Sequence, residues 1–311
     1  MSGENLKPTD VESLLVKTEA FINTMYYVHD DFTLIPKKDH IGTIINYSDL
    51  QQMRNDFVEE MIHTVVKYVY SEEEQNKIIG VFTNEGRDKS AAYSKLTRKA
   101  TQKFRRDHIK GQFSELLLFN LLQYHFKAVP LLRKMPITTN PKLERNGADA
   151  FHISHQNGKY ILYLGEAKTY NRETSSLRSA LKDSISSILE HYNNHRNELN
   201  LYIYEDFIPN ELEKIADNYI NGKLKDIEIH LVCMITYDNK KDVNGNCREE
   251  LINSEISSIT EETKKIKKDV FREIPSILIP RINYIIFPIK NMNELIEVFE
   301  KNLGIPSYAG N

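Results

Sequence analysis

The run Gly147-Ala148-Asp149-Ala150-Phe151-His152, followed by Tyr160-Ile161-Leu162-Tyr163-Leu164-Gly165-Glu166-Ala167-Lys168, decides how this chain is read. Between the two lies Gln156-Asn157-Gly158-Lys159. An Asn-Gly pair is the strongest local signal for a two-residue type I′ turn, because both central residues must adopt positive φ. With Asn157 and Gly158 as that turn, Gln156 opposes Lys159. The same register carried down the hairpin sets Asp149 opposite Glu166. Opposed side chains share a face, with Cβ atoms about 4.5–5.5 Å apart. Lys168 joins them through the two-residue period of the strand. Two carboxylates and an ammonium therefore converge at one end of the hairpin.

Like charges directly opposed across a strand pair destabilise it unless something compensates. Lys168 compensates in part. A divalent cation bridging both carboxylates does so better, since hard cations such as Mg²⁺ prefer oxygen ligands. The strand leading in is apolar on both faces, which marks it as central, so ending it in Glu and Lys is costly for folding alone. The plain alternative is a half-exposed strand end with an ordinary salt bridge. Charge clusters in buried sheet more often serve a site. Glu115 adds a third carboxylate. On a helix starting near Gly111 its stripe-mates are Leu118, Phe119, Leu122 and Phe126, which centres a glutamate on the burying face. Gly111 is expected to let that helix approach the sheet closely. The alternative is a first-turn glutamate that escapes to solvent.

Outward from this segment, strands are expected over 131–137, 150–154, 160–168, 227–237 and 282–289. Helices are expected over about 111–126, 174–195, 210–221, 249–272 and 292–302. Strands alternating with helices, several of them apolar on both faces, argue for an α/β fold with a mixed sheet covered by helices. Upstream, residues 1–10 read as disordered, and 11–110 read as mainly helical with an extended interlude around 32–46. Ser48 is a plausible N-cap for a helix to about 70, with Leu50, Met53, Phe57, Met61 and Val65 at helical spacing. The expected division is a mainly helical N-terminal region, 1–100, and a core domain, 101–311.

The 311 residues are 40% hydrophobic and 27% charged, as in ordinary soluble globular proteins, and the net charge of −3 gives no global basic field. Any nucleic-acid binding must come from a local patch. The stretch 89–110 offers one, with Lys99, Lys103, Arg105, Arg106 and Lys110 running into the Glu115 helix. A solvated helical face is the equal alternative. A second run, Lys264, Lys265, Lys267 and Lys268, is bracketed by acids and reads as surface. His191 and His195 have the i, i+4 spacing of zinc ligands, but no third ligand is evident. Cys233 and Cys247 form neither a disulfide framework nor a zinc knuckle. There is no signal-peptide core and no apolar run long enough for a bilayer, so the chain is expected to be cytoplasmic, with no membrane partner. No phosphate-binding loop or Gly-rich dinucleotide motif occurs, so no nucleotide cofactor is expected.

Glu115 on a first helix, Asp149 at a hairpin and Glu166-Ala167-Lys168 on the next strand resemble the PD-(D/E)XK nuclease superfamily. Ala148 stands where the superfamily's name has Pro. The flanking text GADAFHI and YLGEAKTY is similar to the HamA family, nuclease subunits of the bacterial Hachiman anti-phage system. The resemblance implies a restriction-endonuclease-like core and a Mg²⁺ (or Mn²⁺) cofactor on Asp149 and Glu166, with Glu115 acting through water or supporting a second ion. It implies Lys168 as the catalytic ammonium, DNA as substrate, and a HamB-like superfamily 2 helicase as partner. The residues alone do not separate DNA from RNA. A non-catalytic binding or scaffold module of the same fold, and a stand-alone RNase or restriction-type DNase, are the competing readings.

Overall fold

A computed structural model describes residues 11–135, 147–170, 176–202, 208–224 and 226–305. The disorder expected for residues 1–10, residues 136–137 of the strand expected over 131–137 and the start of the helix expected from about 174 lie outside the described residues, and that strand itself runs from Val129 only to Leu132.

The centre is a seven-stranded mixed sheet in the order β1-β2-β9-β8-β7-β6-β5. Its strands are β1 (Met25–Asp30), β2 (His40–Ile45), β5 (Val129–Leu132), β6 (Ala150–Gln156), β7 (Lys159–Tyr170), β8 (Ile227–Asp238) and β9 (Ile282–Ile289). β2, β9, β8 and β7 run parallel, and antiparallel β1 and the β6–β5 pair flank them. Parallel strands need both faces covered, and β8 from Leu231 onward and nearly all of β9 are accordingly buried and largely apolar. The N-terminal strands β1 and β2 complete the same sheet through β9, so it runs across the boundary expected near residue 100.

Ten helices complete the described elements: α1 (Glu19–Asn23), α2 (Arg54–His63), α3 (Val65–Val69), α4 (Glu72–Asn84), α5 (Lys89–Thr101), α6 (Ile109–Phe126), α7 (Leu177–Tyr202), α8 (Asn210–Ile220), α9 (Arg248–Thr263) and α10 (Met292–Leu303). One core joins α7, α8 and α9 to one face of the sheet. The other joins α1, α2, α3, α5, α6 and α10 to the opposite face. α7 buries Leu177, Ala180, Leu181, Ser184, Ile185 and Ile188 at the 3–4 spacing of an amphipathic helix.

Three expectations are corrected. The helix expected from Ser48 starts at Arg54, and Tyr47–Ser48 (β3) and Gln51–Gln52 (β4) form a small hairpin before it. Asp49 takes positive φ at the tip, which short polar residues tolerate, and Leu50 is 51% exposed rather than part of a buried stripe. The helix expected over 249–272 stops at Thr263, and a 3₁₀ turn over Lys268–Phe271 follows. Gly111 is not the close approach. It is exposed, with only Glu115 Oε1 near a would-be Cβ. The glycine that admits α6 is Gly165 on β7, where a Cβ would stand 2.8 Å from Leu118 Cδ2 and 3.0 Å from the Ala150 Cβ.

Candidate functional site

Asn157 and Gly158 take φ of 52° and 77°, as the type I′ turn requires. The register then runs from Gln156–Lys159 to Ala150–Gly165 without a slip. Asp149 stands one residue past the last pair, where the chain leaves the sheet. β7 continues beyond it, still paired with β8 through Tyr170–Tyr237. The notch left at the end of β6 is closed by Asp149 itself, whose Oδ2 accepts the Ala167 N–H at 2.8 Å.

Glu166, next after Gly165, is 3% exposed. Its Oε1 is 2.7 Å from Lys168 Nζ. Its Oε2 is 3.4 Å from His191 Nε2 on α7, within ion-pair reach but without hydrogen-bond geometry, so it is a buried oxygen with no hydrogen-bond partner. The α7 side of the sheet thus carries Glu166, Lys168 and His191, with the Tyr170 hydroxyl on Asp183 at 3.1 Å beside them. Glu115 reaches the same end of the sheet from α6. It is half-buried, and its Oε2 accepts the Tyr68 hydroxyl at 2.9 Å.

Electrostatics pull the carboxyls apart. Loss of water around the Asp149 carboxyl, then the charges of Glu166 and Glu115, push its pKa well above the usual carboxylate range. The Ala167 N–H and Lys134 pull it back only in part. For Glu166, burial is the largest single influence and favours the neutral acid, but His191 and Lys168 together outweigh it and hold the carboxyl below its ordinary value. Burial likewise opposes charge on Lys168, and Glu166 more than reverses that, so the ammonium is held above its ordinary value. Environments that drive neighbouring acids in opposite directions are a mark of functional sites.

Among the described residues, no group of three or more His, Cys, Asp or Glu side chains is arranged to hold a metal ion. Two carboxylates, one with a buried oxygen that makes no hydrogen bond, do suit a hard divalent cation that keeps several of its waters, since such ions commonly take only one or two protein carboxylates. Asp149 and Glu166 would supply them.

A family model, HamA, matches residues 19–303, nearly the whole chain. The chain belongs to the HamA family. Membership supports an anti-phage defence protein of the Hachiman type. No curated protein matches the chain. In this HamA chain no helix among the described residues is long and apolar enough to cross a membrane.

His191 and His195 of this HamA chain lie one turn apart on α7 but turn to different partners. His195 spends both ring nitrogens on the Tyr192 carbonyl and the Tyr219 hydroxyl, while His191 turns to Glu166, so the two share no zinc site. The expected basic residues disperse as well. Lys99 lies exposed on α5, and Lys103 and Arg105 are half-buried. Arg106 pairs with Glu300 of α10, and Lys110 reaches Asn293 Oδ1 at 3.0 Å. Lys89, Lys95 and Arg98 are also exposed on α5, and Lys95, Arg98 and Lys99 lie on one side of it. His191, Tyr68, Lys134 and Glu198 were missed by sequence reasoning. Of these only His191 carried a signal, its spacing from His195, and that spacing did not point to Glu166.

The raised Asp149 carboxyl sets a pH dependence. Between the unfolded pKa and the higher folded one, the folded state holds a proton that the unfolded chain has lost, so stability falls as pH rises through that window. In chelator at alkaline pH, Asp149→Asn removes the charge and should stabilise the chain by about 1 kcal/mol, the order of a like-charged cross-strand pair. The gain should shrink as pH falls through that same window and be gone once pH drops below the ordinary carboxylate range. Mg²⁺ should raise the melting temperature of wild type and do far less for the variant. An Asp149→Asn chain that is less stable at every pH would mean that the bond to Ala167 outweighs the repulsion.

Proposed function

We propose that this chain is a metal-dependent nuclease that hydrolyses phosphodiester bonds as the effector of a Hachiman-type defence complex. The observation that carries the reading is the buried Glu166 carboxylate, whose Oε2 makes no hydrogen bond and has only the 3.4 Å ion-pair contact with His191, set beside a second carboxyl that is itself repelled and an ammonium that stays charged. A purely structural salt bridge accounts for Lys168 but not for burying Asp149 against two like charges.

Mg²⁺ or Mn²⁺ would be held by Asp149 and Glu166, with Glu115 in support through water. When bound, such an ion polarises a phosphoryl oxygen and makes an attacking water more acidic. In hydrolysis the water oxygen bonds to phosphorus, the bond from phosphorus to the leaving oxygen breaks, and that oxygen takes up a proton. Negative charge builds on the phosphoryl oxygens in between. Lys168, kept protonated by Glu166, faces that charge and stabilises it. A group so held cannot act as a general base near neutral pH. Asp149, tied to the Ala167 N–H, keeps its place as charge rearranges. The sequence holds no ATP-binding motif, so ATP-driven motion along nucleic acid falls to a HamB-like helicase partner. DNA is the substrate the family resemblance implies. The exposed basic side of α5, Lys95, Arg98 and Lys99, is the surface that would meet phosphates.

The purified chain, alone and with the helicase, should cleave supercoiled plasmid or duplex DNA only with Mg²⁺ or Mn²⁺. Glu166→Ala and Lys168→Ala should each lower the rate by at least about 100-fold, the scale of losing a preorganised charge-stabilising group, while keeping the melting transition. Folded variants that cleave at the wild-type rate would overturn the assignment. Faster cleavage of RNA would move the substrate, and a wild-type chain inert in every combination would favour the scaffold reading.

Phosphate contacts are tested by salt. Replacing Arg98 and Lys99 with Gln should weaken DNA binding uniformly across sequences and flatten the plot of log affinity against log salt by about one per lost contact. An unchanged slope would make α5 a solvated face.

A further inference from the structure

A second ion pair stands beside the site and takes no part in the chemistry above. Lys134 follows β5 and Glu198 lies on α7. Their charged ends are in direct contact, with side chains only 11% and 10% exposed. Each partner makes a further bond, and both of these bonds fall on one residue. Lys134 Nζ donates to the Ala148 carbonyl, and Glu198 Oε2 accepts the Ala148 N–H at 3.3 Å. Ala148 immediately precedes Asp149. Gly147 makes room for the arrangement, since at its φ of 106° a Cβ would fall 1.9 Å from Glu198 Oε1. On the other side of Asp149, Lys134 Nζ sits 5.3 Å from the centre of the Phe151 ring on β6. The pair therefore grips the chain on both sides of Asp149.

Stability is a weak reason for such a pair. Desolvating two charges offsets most of their attraction, and well-packed apolar residues of similar volume commonly do as well or better. Position is a stronger reason. Asp149 lies past the last rung of the β6–β7 ladder, and Glu166 and Glu115 repel its charge. The Ala167 N–H holds its carboxylate, but the Asp149 backbone has no rung in that ladder. The Lys134–Glu198 clamp supplies the missing restraint one residue away.

We propose that Lys134 and Glu198 are positioning residues, which hold Ala148 so that Asp149 stays beside Glu166 as a ligand for the divalent cation. This rests on the metal-dependent reading above. Groups that orient metal ligands typically control about 10–100-fold in metal affinity or activity.

The test uses the full chain with Lys134→Met and Glu198→Leu combined, which removes both charges at similar volume. The variant should melt no lower than wild type by more than a few degrees. Its Mg²⁺ midpoint, read from the thermal shift, should rise about 10–100-fold, and kcat should fall while KM for DNA stays within about twofold. A merely structural pair gives the opposite pattern, a lower melting temperature with midpoint and kcat unchanged, and that result overturns the proposal. If the double variant does not fold, Glu198→Gln keeps the shape and should shift midpoint and kcat in the same directions; no shift in either overturns the proposal. A charge swap, Lys134→Glu with Glu198→Lys, should melt near wild type and still leave the midpoint raised, because the reversed pair offers the wrong polarity to both groups of Ala148. Recovery of the midpoint by the swap overturns the proposal. A wild-type chain whose melting ignores Mg²⁺ overturns the metal reading itself, and the positioning role with it. Normal Mg²⁺ response in wild type and variants alike overturns the positioning role alone.

Discussion

The site depends on two acidic groups that the backbone brings together against their mutual repulsion. The Asn157-Gly158 turn fixes the register of β6 and β7, and that register places Asp149 beside Glu166. Neither can retreat. Glu166 is carried on a strand paired on its other side with β8, and Asp149 is tied to the Ala167 N–H. Relief comes through electrostatics instead. Glu166 keeps its charge against Lys168 and His191, and Asp149 is driven toward its neutral form. On the metal-dependent reading proposed above, an ion that neutralises both groups would recover energy the fold has given up.

The surrounding architecture serves that pair. β7, β8 and β9 form a parallel centre with helices on both faces, which makes the end of β7 a rigid platform. Gly165 lets α6 pack against that strand, and α6 delivers Glu115 to the same end of the sheet. From the other face α7 delivers His191 to Glu166 and Glu198 to the residue before Asp149. One sheet end thus collects groups from both layers, which is how a mixed sheet with ordinary composition builds a concentrated site.

Much of this was legible in the sequence because it was local. A two-residue turn needing positive φ has few sequence solutions, so Asn157-Gly158 fixed the hairpin and the meeting of Asp149, Glu166 and Lys168. Long apolar strands were also plain, and β9 spans the expected 282–289. What failed was either mimicry or distance. Leu50, Met53 and Phe57 copy a helical stripe, yet Leu50 sits in a hairpin turned to solvent. Gly111 and Gly165 are alike as letters, and only packing shows which one a helix crosses. His191 and His195 share a helix, but its neighbours give them different partners. Lys134 and Glu198 are 64 positions apart, and no pattern in the sequence links them.

The central claim is that Asp149 and Glu166 together bind a divalent cation. Calorimetric titration of Mn²⁺ into the metal-free chain tests it most directly, beside an Asp149→Asn, Glu166→Gln double variant of matched shape. Saturable binding in wild type, abolished in a folded double variant, is the predicted result. Equal binding by both proteins, or no binding by wild type, would contradict it.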